Sequence, residues 1–334
     1  MSCGAPKDPG SAPTPPSQQV QAPTPAPVPQ AHAPAESPRV VLGRFLDGAT
    51  DADETLRVRN DTVRRLTPVG TTSVVFKVEL GDDSLIAFRP RTRSHPGGWL
   101  AEVAAFRIAR ALGMDQVPLA AIRRMSRTAI TGRFDESKRD RLPDIDRSIV
   151  WDGESRAVGV AVPWIPRMRD LGFESGEGVE TWATWLSANG TAPDSAHANL
   201  ARDMSMLLTF DYLIGNFDRM SGGNLKSNES GTRVVIRDHN LAFVSPMPDA
   251  QRAATLRRFT RVERFSRSQV AALRRLNAAS LSLTLDNADD PDGVRGHILT
   301  AEQQADVLAR GAEILGRIDT LIRDRGENAV LSFE

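Results

Sequence analysis

A chain of 334 residues has room for one large domain or two ordinary ones. Its 42 basic and 42 acidic side chains cancel, which excludes a general affinity for polyanions, and no basic stripe with interleaved aromatics marks a nucleic-acid surface. No apolar run is long enough to span a bilayer, and the single cysteine, Cys3, excludes an intramolecular disulfide.

Residues 1–38 hold 11 of the 22 prolines, mixed with Ala, Ser and Gln, so this stretch cannot bury a core and reads as an extended tether. A cysteine heading such a tract after the small Ser2 is similar to the start of a mature bacterial lipoprotein. That reading needs a signal segment upstream of Cys3 and makes Cys3 a candidate membrane tether in the cell envelope. The other reading is a cytoplasmic chain with a disordered tail.

Folded sequence is expected from residue 39. Two β-branched runs, 63–69 and 74–80, flank Gly70-Thr71-Thr72-Ser73, which is a hairpin signal. Such a turn can offer its backbone N–H groups to phosphates, or it can be an ordinary hairpin. A third strand is expected over 84–89. Its period of two puts Ala87 and Arg89 on one face, with Ile86 and Phe88 on the other. A small residue beneath a purine, then a cation reaching its phosphates, is the pattern of the third strand in kinases, where the cation is normally Lys. The chain has only four lysines, and Lys77 on the preceding strand is either a substitute ammonium or an exposed strand residue.

Trp99, Val103, Phe106 and Leu112 then approximate one helical face, closed by Gly113 with Pro118 beyond. Glu102 sits one turn inside. It can anchor the strand-three cation, or it can simply complement the helix dipole. Residues 119–150 read as short strands and a charged loop without chemistry. The segment 159–166, GVAVPWIP, reads as an apolar strand broken by Pro163 into a hinge, with backbone around Val162 and Trp164 available to adenine. Gly turns and a short helix over 179–186 follow, and Leu200, Met204, Leu207, Leu208 and Ile214 predict a longer one.

That helix delivers the most informative stretch, 211–243. It stops at Gly215 and enters a polar loop with Asp218, Arg219 and Asn224. A Ser/Gly/Asn turn and the run Val234-Val235-Ile236 lead to Asp238. Helix, loop with Asp and Asn, hairpin and second Asp is how kinases build the end of the site that handles phosphate and metal. The loop Asp meets the acceptor hydroxyl, while Asn and the later Asp supply the oxygen ligands that Mg²⁺ requires. Asp and Asn also cap turns without further purpose. His239 is expected to be structural. Ser266 with Gln269, and Thr300 with Gln303, have capping-box spacing, and Val307, Ile314, Leu315, Ile318 and Ile322 give the last helix an apolar stripe.

Taken in order, the Gly turn, A-F-R-P, helix with Glu, P-W hinge, D-Y-L-I-G-N-F-D-R…N and R-D-H-N-L-A-F resemble the atypical kinases related to the Golgi casein kinase, four-jointed and HipA. The likeness extends to bacterial, myxobacterial-type members with a D-R-x-S-G-G-N loop. It covers about residues 63–243. The resemblance implies an α+β, bilobal protein-kinase-like fold: an antiparallel-sheet N-lobe with one helix (39–165) and a mainly helical C-lobe (166–334). It makes Asp218 the catalytic aspartate and Asp238 and Asn224 the metal ligands. Arg89 stands at the family's lysine position with Glu102 as its partner, and Gly70, Thr71, Thr72, Lys77, Val162 and Trp164 lie around the nucleotide. The implied cofactors are ATP and Mg²⁺ or Mn²⁺. The implied activity is phosphoryl transfer to a hydroxyl of a protein, sugar or lipid acceptor, by a monomer. A pseudokinase that binds a nucleotide or partner is the alternative, because Arg is not an equivalent replacement for Lys.

Overall fold

Alternation of apolar and polar residues builds the first sheet. In the computed structural model, which describes residues 1–4, 42–60, 62–70, 73–287 and 296–334, the chain divides into two units, Met1–Ser37 and Pro38–Glu334. Of the first unit only residues 1–4 are described, and Cys3 there is exposed. The predicted tether beyond them, like Thr71 and Thr72, lies outside the described residues. The second unit runs α1 (Asp51–Asn60), β1 (Val63–Val69), β2 (Val75–Leu80), β3 (Leu85–Pro90), α2 (Gly98–Ala111) and β4 (Ala121–Ser126). Two short helices, α3 (Arg127–Gly132) and α4 (Leu142–Ser148), precede β5 (Arg156–Pro163).

These five strands form one antiparallel sheet in the order β1-β2-β3-β5-β4. Phe76, Val78, Ile86 and Phe88 are fully buried on one face. Register places Lys77 opposite Ala87, and Val162 and Val160 opposite Ala87 and Arg89, so these residues share the other face. The expectation of a charged loop within 119–150 is corrected here. That stretch is largely helical, because Ile130, Phe134, Ile145 and Ile149 must cover the back of the sheet. Phe134 meets Phe76 edge-on, with ring centroids 6.2 Å apart. The helix α1 was not foreseen. It docks on α2 through a buried fork, in which Arg110 Nε and Nη2 donate to Asp51 Oδ2 and Oδ1 at 2.7 and 3.0 Å.

After the sheet come β6 (Arg169–Asp170), α5 (Gly176–Leu186) and α6 (Ala198–Ile214), then a three-residue 3₁₀ turn, Asp218–Met220. β7 (Lys226–Ser227) and β8 (Val234–Val235) make the expected hairpin and join β6 in a small antiparallel sheet. The remainder is helical: α7 (Asp249–Phe259), α8 (Arg267–Arg275), α9 (Ala278–Leu285), α10 (Ala301–Arg325) and α11 (Glu327–Val330). Val307, Ile314 and Ile318 of the predicted stripe are fully buried. The capping box at Thr300 and Gln303 is complete. The one at Ser266 is half made, since Ser266 accepts from the Gln269 N–H while the Gln269 amide donates to the Met206 carbonyl at 3.1 Å instead.

Candidate active site

A cavity of about 410 Å³ opens on the face of the sheet that carries Arg89. Val75, Ala87, Val160, Val162 and Trp164 supply its apolar walls, and Arg89, Glu102 and Asp238 its charged end. The volume and the few convergent polar groups suit a small-molecule site. Gly70, at φ 86°, lines it in the turn after β1, where a left-handed backbone favours a residue without Cβ.

The charged end is organised by Arg89. Its Nη2 donates to Asp238 Oδ1 at 2.9 Å and stands 3.8 Å from Glu102 Oε1, while Nη1 donates to Ser73 Oγ at 3.3 Å. Glu102 is therefore beside the strand-three cation, but its closer partner is His239, whose Nδ1 lies 3.2 Å from Oε2. Burial pushes the Glu102 carboxyl up, but the hydrogen bond and charge of His239, together with the Arg89 guanidinium, outweigh it and hold it at about 2. His239 is 1% exposed, stacks edge-on with Phe210, and makes no hydrogen bond from Nε2 among the described residues. It is thus built into the site.

At the opposite end the strand ladder decides which backbone groups are free. The Trp164 N–H donates to the Leu85 carbonyl at 2.9 Å, and Arg91 donates to Val158 in the same register. Alternation along this antiparallel pair also turns the Val162 groups toward Ala87. The Trp164 N–H is therefore taken up within the sheet, and Pro163 and Ile165 line the cavity beside Val162 and Trp164. Lys77 is placed at this end too. Its Nζ sits 5.2 Å from the centroid of the Trp164 ring, a cation–π contact at the hinge rather than a phosphate position beside Arg89.

The loop after α6 is held by buried charge. Gly215 takes the left-handed C-cap at φ 69°, and the Asn216 N–H donates back to the Asp211 carbonyl at 2.8 Å. Asp211 lies in the last helical turn, where the dipole disfavours an acid. Arg219 compensates it as a fork: Nε donates to Asp211 Oδ2 at 2.9 Å and Nη2 to Oδ1 at 3.1 Å. Arg219 Nη1 also donates to the carbonyls of Asn224 and Arg237, which ties the Asp218 loop to the segment after β8 that carries Asp238. Burial works against its charge, yet Asp211, Asp238 and Glu102 keep the Arg219 pKa above its ordinary value. Glu174 clamps the far side, accepting from the N–H groups of Gly223, Asn224 and Leu225 at 2.9, 3.0 and 2.9 Å.

Within this frame Asp218 and Asn224 meet each other: Asn224 Nδ2 donates to Asp218 Oδ2 at 3.2 Å. Asp218, Asn224 and Asp238 offer hard oxygen atoms, the donor chemistry of Mg²⁺ or Mn²⁺. Among the described residues no three His, Cys, Asp or Glu side chains converge as a metal cage. The roles of Arg219–Asp211 and Glu174 were not read from the sequence. An acid in the last turn of an apolar helix, eight residues before an Arg, was the available signal for the first. Glu174 gave none, being 49 residues from its nearest partner in the loop.

No protein-family model matches the sequence, and no curated protein matches it. Solved structures do. The Golgi casein kinase superposes with a TM-score of 0.62 at 18% identity, over 84% of this chain and 77% of that one. The same kinase with Mn/ADP bound gives 0.61 at 18% identity, over 84% and 78%. Hydra Fam20, solved with sugar, gives 0.57 at 17% identity, over 82% and 90%. The fold is therefore kinase-like, of the kind seen in these proteins: an antiparallel five-stranded sheet joined to a helical part.

Proposed function

We propose that this chain is a phosphotransferase that moves the γ-phosphoryl group of ATP to a hydroxyl acceptor on a protein or glycan. The observation that carries the reading is the meeting of Arg89, Glu102 and Asp238 at one end of a cavity whose other end is the hinge. Adenine would lie between Ala87 and the apolar wall, with its polar edge toward the hinge residues Pro163 and Ile165. Arg89 would hold phosphate oxygens through its fork, and Glu102 and His239 would fix the distance between α2 and the segment that carries Asp238. Asp218 would orient the acceptor hydroxyl and take its proton as the oxygen bonds to phosphorus and ADP leaves. Asp238 and Asn224 would hold the divalent cation, which supplies charge neutralisation on the phosphates. The Golgi casein kinase solved with Mn/ADP supports the nucleotide and metal, and the sugar in hydra Fam20 supports a glycan as one acceptor class. Metal-dependent ATP turnover by the purified chain tests this reading. Turnover should be lost in Asp218→Asn, and equal turnover in the two proteins would overturn the assignment.

A second reading, a pseudokinase that binds nucleotide without efficient chemistry, is favoured by one contact: the Arg89 guanidinium lies on Asp238 itself. Nucleotide binding without turnover, with turnover gained in Arg89→Lys, would select it.

A further inference from the structure

The Arg89–Asp238 contact carries a consequence for the cation requirement, which rests on the nucleotide reading above. A lysine at this position would bring one compact ammonium, whereas arginine brings a planar fork with donors facing several directions. Here the fork is divided. Nη1 reaches the Gly70 turn at Ser73, Nη2 reaches Asp238 Oδ1 at 2.9 Å, and Glu102 is left at 3.8 Å. The closer partner of Glu102 is buried His239, at 3.2 Å from Oε2, so Asp238 is the carboxylate in contact with the guanidinium. The pair is partly shielded from water, with the Arg89 side chain 17% exposed and that of Asp238 26%. A charge-assisted bond in such a place is stronger than its solvated equivalent. A divalent cation approaching Asp238 must therefore share the carboxylate with a fixed positive charge, and the two cations repel.

We propose that Arg89 sets the divalent-cation requirement of this site, serving as a built-in cation so that ATP binds without Mg²⁺ or Mn²⁺ and the metal adds little affinity.

The test is ATP titration by calorimetry with the full chain in EDTA, in Mg²⁺ and in Mn²⁺, beside Mn²⁺ binding followed by electron paramagnetic resonance. The wild-type Kd should change by less than about threefold between EDTA and Mn²⁺, whereas Arg89→Lys should bind at least about tenfold more weakly in EDTA and recover with Mn²⁺, the loss expected for one charge-assisted contact. Mn²⁺ should bind the ATP complex of Arg89→Lys more tightly than that of the wild type. Asp238→Asn, which keeps the guanidinium, should still bind ATP in EDTA, and a far-ultraviolet circular dichroism spectrum checks its fold. Wild-type binding that vanishes in EDTA overturns the proposal while leaving the nucleotide reading intact. Equal cation dependence in wild type and Arg89→Lys does the same. Absence of ATP binding in every buffer overturns both.

Discussion

Two charged regions of this molecule are built on opposite plans. Around Arg219 each of the three guanidinium nitrogens has a named acceptor, in a bidentate carboxylate and two backbone carbonyls, while Glu174 closes the loop from outside. Around Arg89 one guanidinium is divided among a hydroxyl, one carboxylate in contact and another at 3.8 Å, at the wall of an open cavity. Arg219 is 1% exposed and Arg89 17%. The first plan fixes a loop regardless of ligand, since a buried charge without its partner is too costly for the loop to move. The second leaves donors that a ligand can take over. Rigidity is placed under Asp218, and adaptability where phosphates would arrive.

The contrast can be broken at several points. Asp218→Asn should lower turnover about 10²- to 10⁴-fold, the usual span for a lost general base, with unchanged thermal unfolding; a comparable loss of stability would move Asp218 into the scaffold. Arg219→Ala should cost about 3–5 kcal/mol in urea unfolding, because Asp211 would be left buried and unpaired. Arg89→Lys should cost far less by the same measurement, and equal losses would erase the distinction between the two regions. Glu174→Ala, which frees three backbone N–H groups, should cost about 1–3 kcal/mol and raise the amide exchange of 223–225. A further effect is on pH. The Glu102 carboxyl is depressed from 4.5 to about 2, so its contribution to stability is complete above about pH 4.5 and is lost as pH falls toward 2. Glu102→Gln should flatten acid unfolding in that window relative to the wild type; an unchanged acid limb would show that His239 and Arg89 do not hold this group.

The sheet core and its helix were readable because each rests on local chemistry. β-Branched runs flanking a turn placed β1 and β2, and period-two alternation in β3 put Ala87 and Arg89 on one face. The helical stripe and its stop at Gly113 placed α2 with Glu102 inside, and α6 ended at Gly215 as expected, with that glycine left-handed. The helices over 127–148 were hidden because their polar faces dominate a short stretch. Only contact with Phe76 and its neighbours makes their few apolar residues a core.

By itself, then, the sequence determined the order of elements and the chemical types arrayed along them: a cation on the third strand, an acid one turn into the next helix, Asp and Asn in a loop, Asp after a hairpin. Those are properties of neighbours in the chain. Tertiary structure alone decided the pairings: Arg89 with Asp238 across 149 positions, Glu102 with His239 across 137, and Glu174 with the loop across 49 to 51. Coulombic and hydrogen-bonding partners are chosen by distance in space, and no periodicity in the chain records which of 42 acids a given arginine will meet.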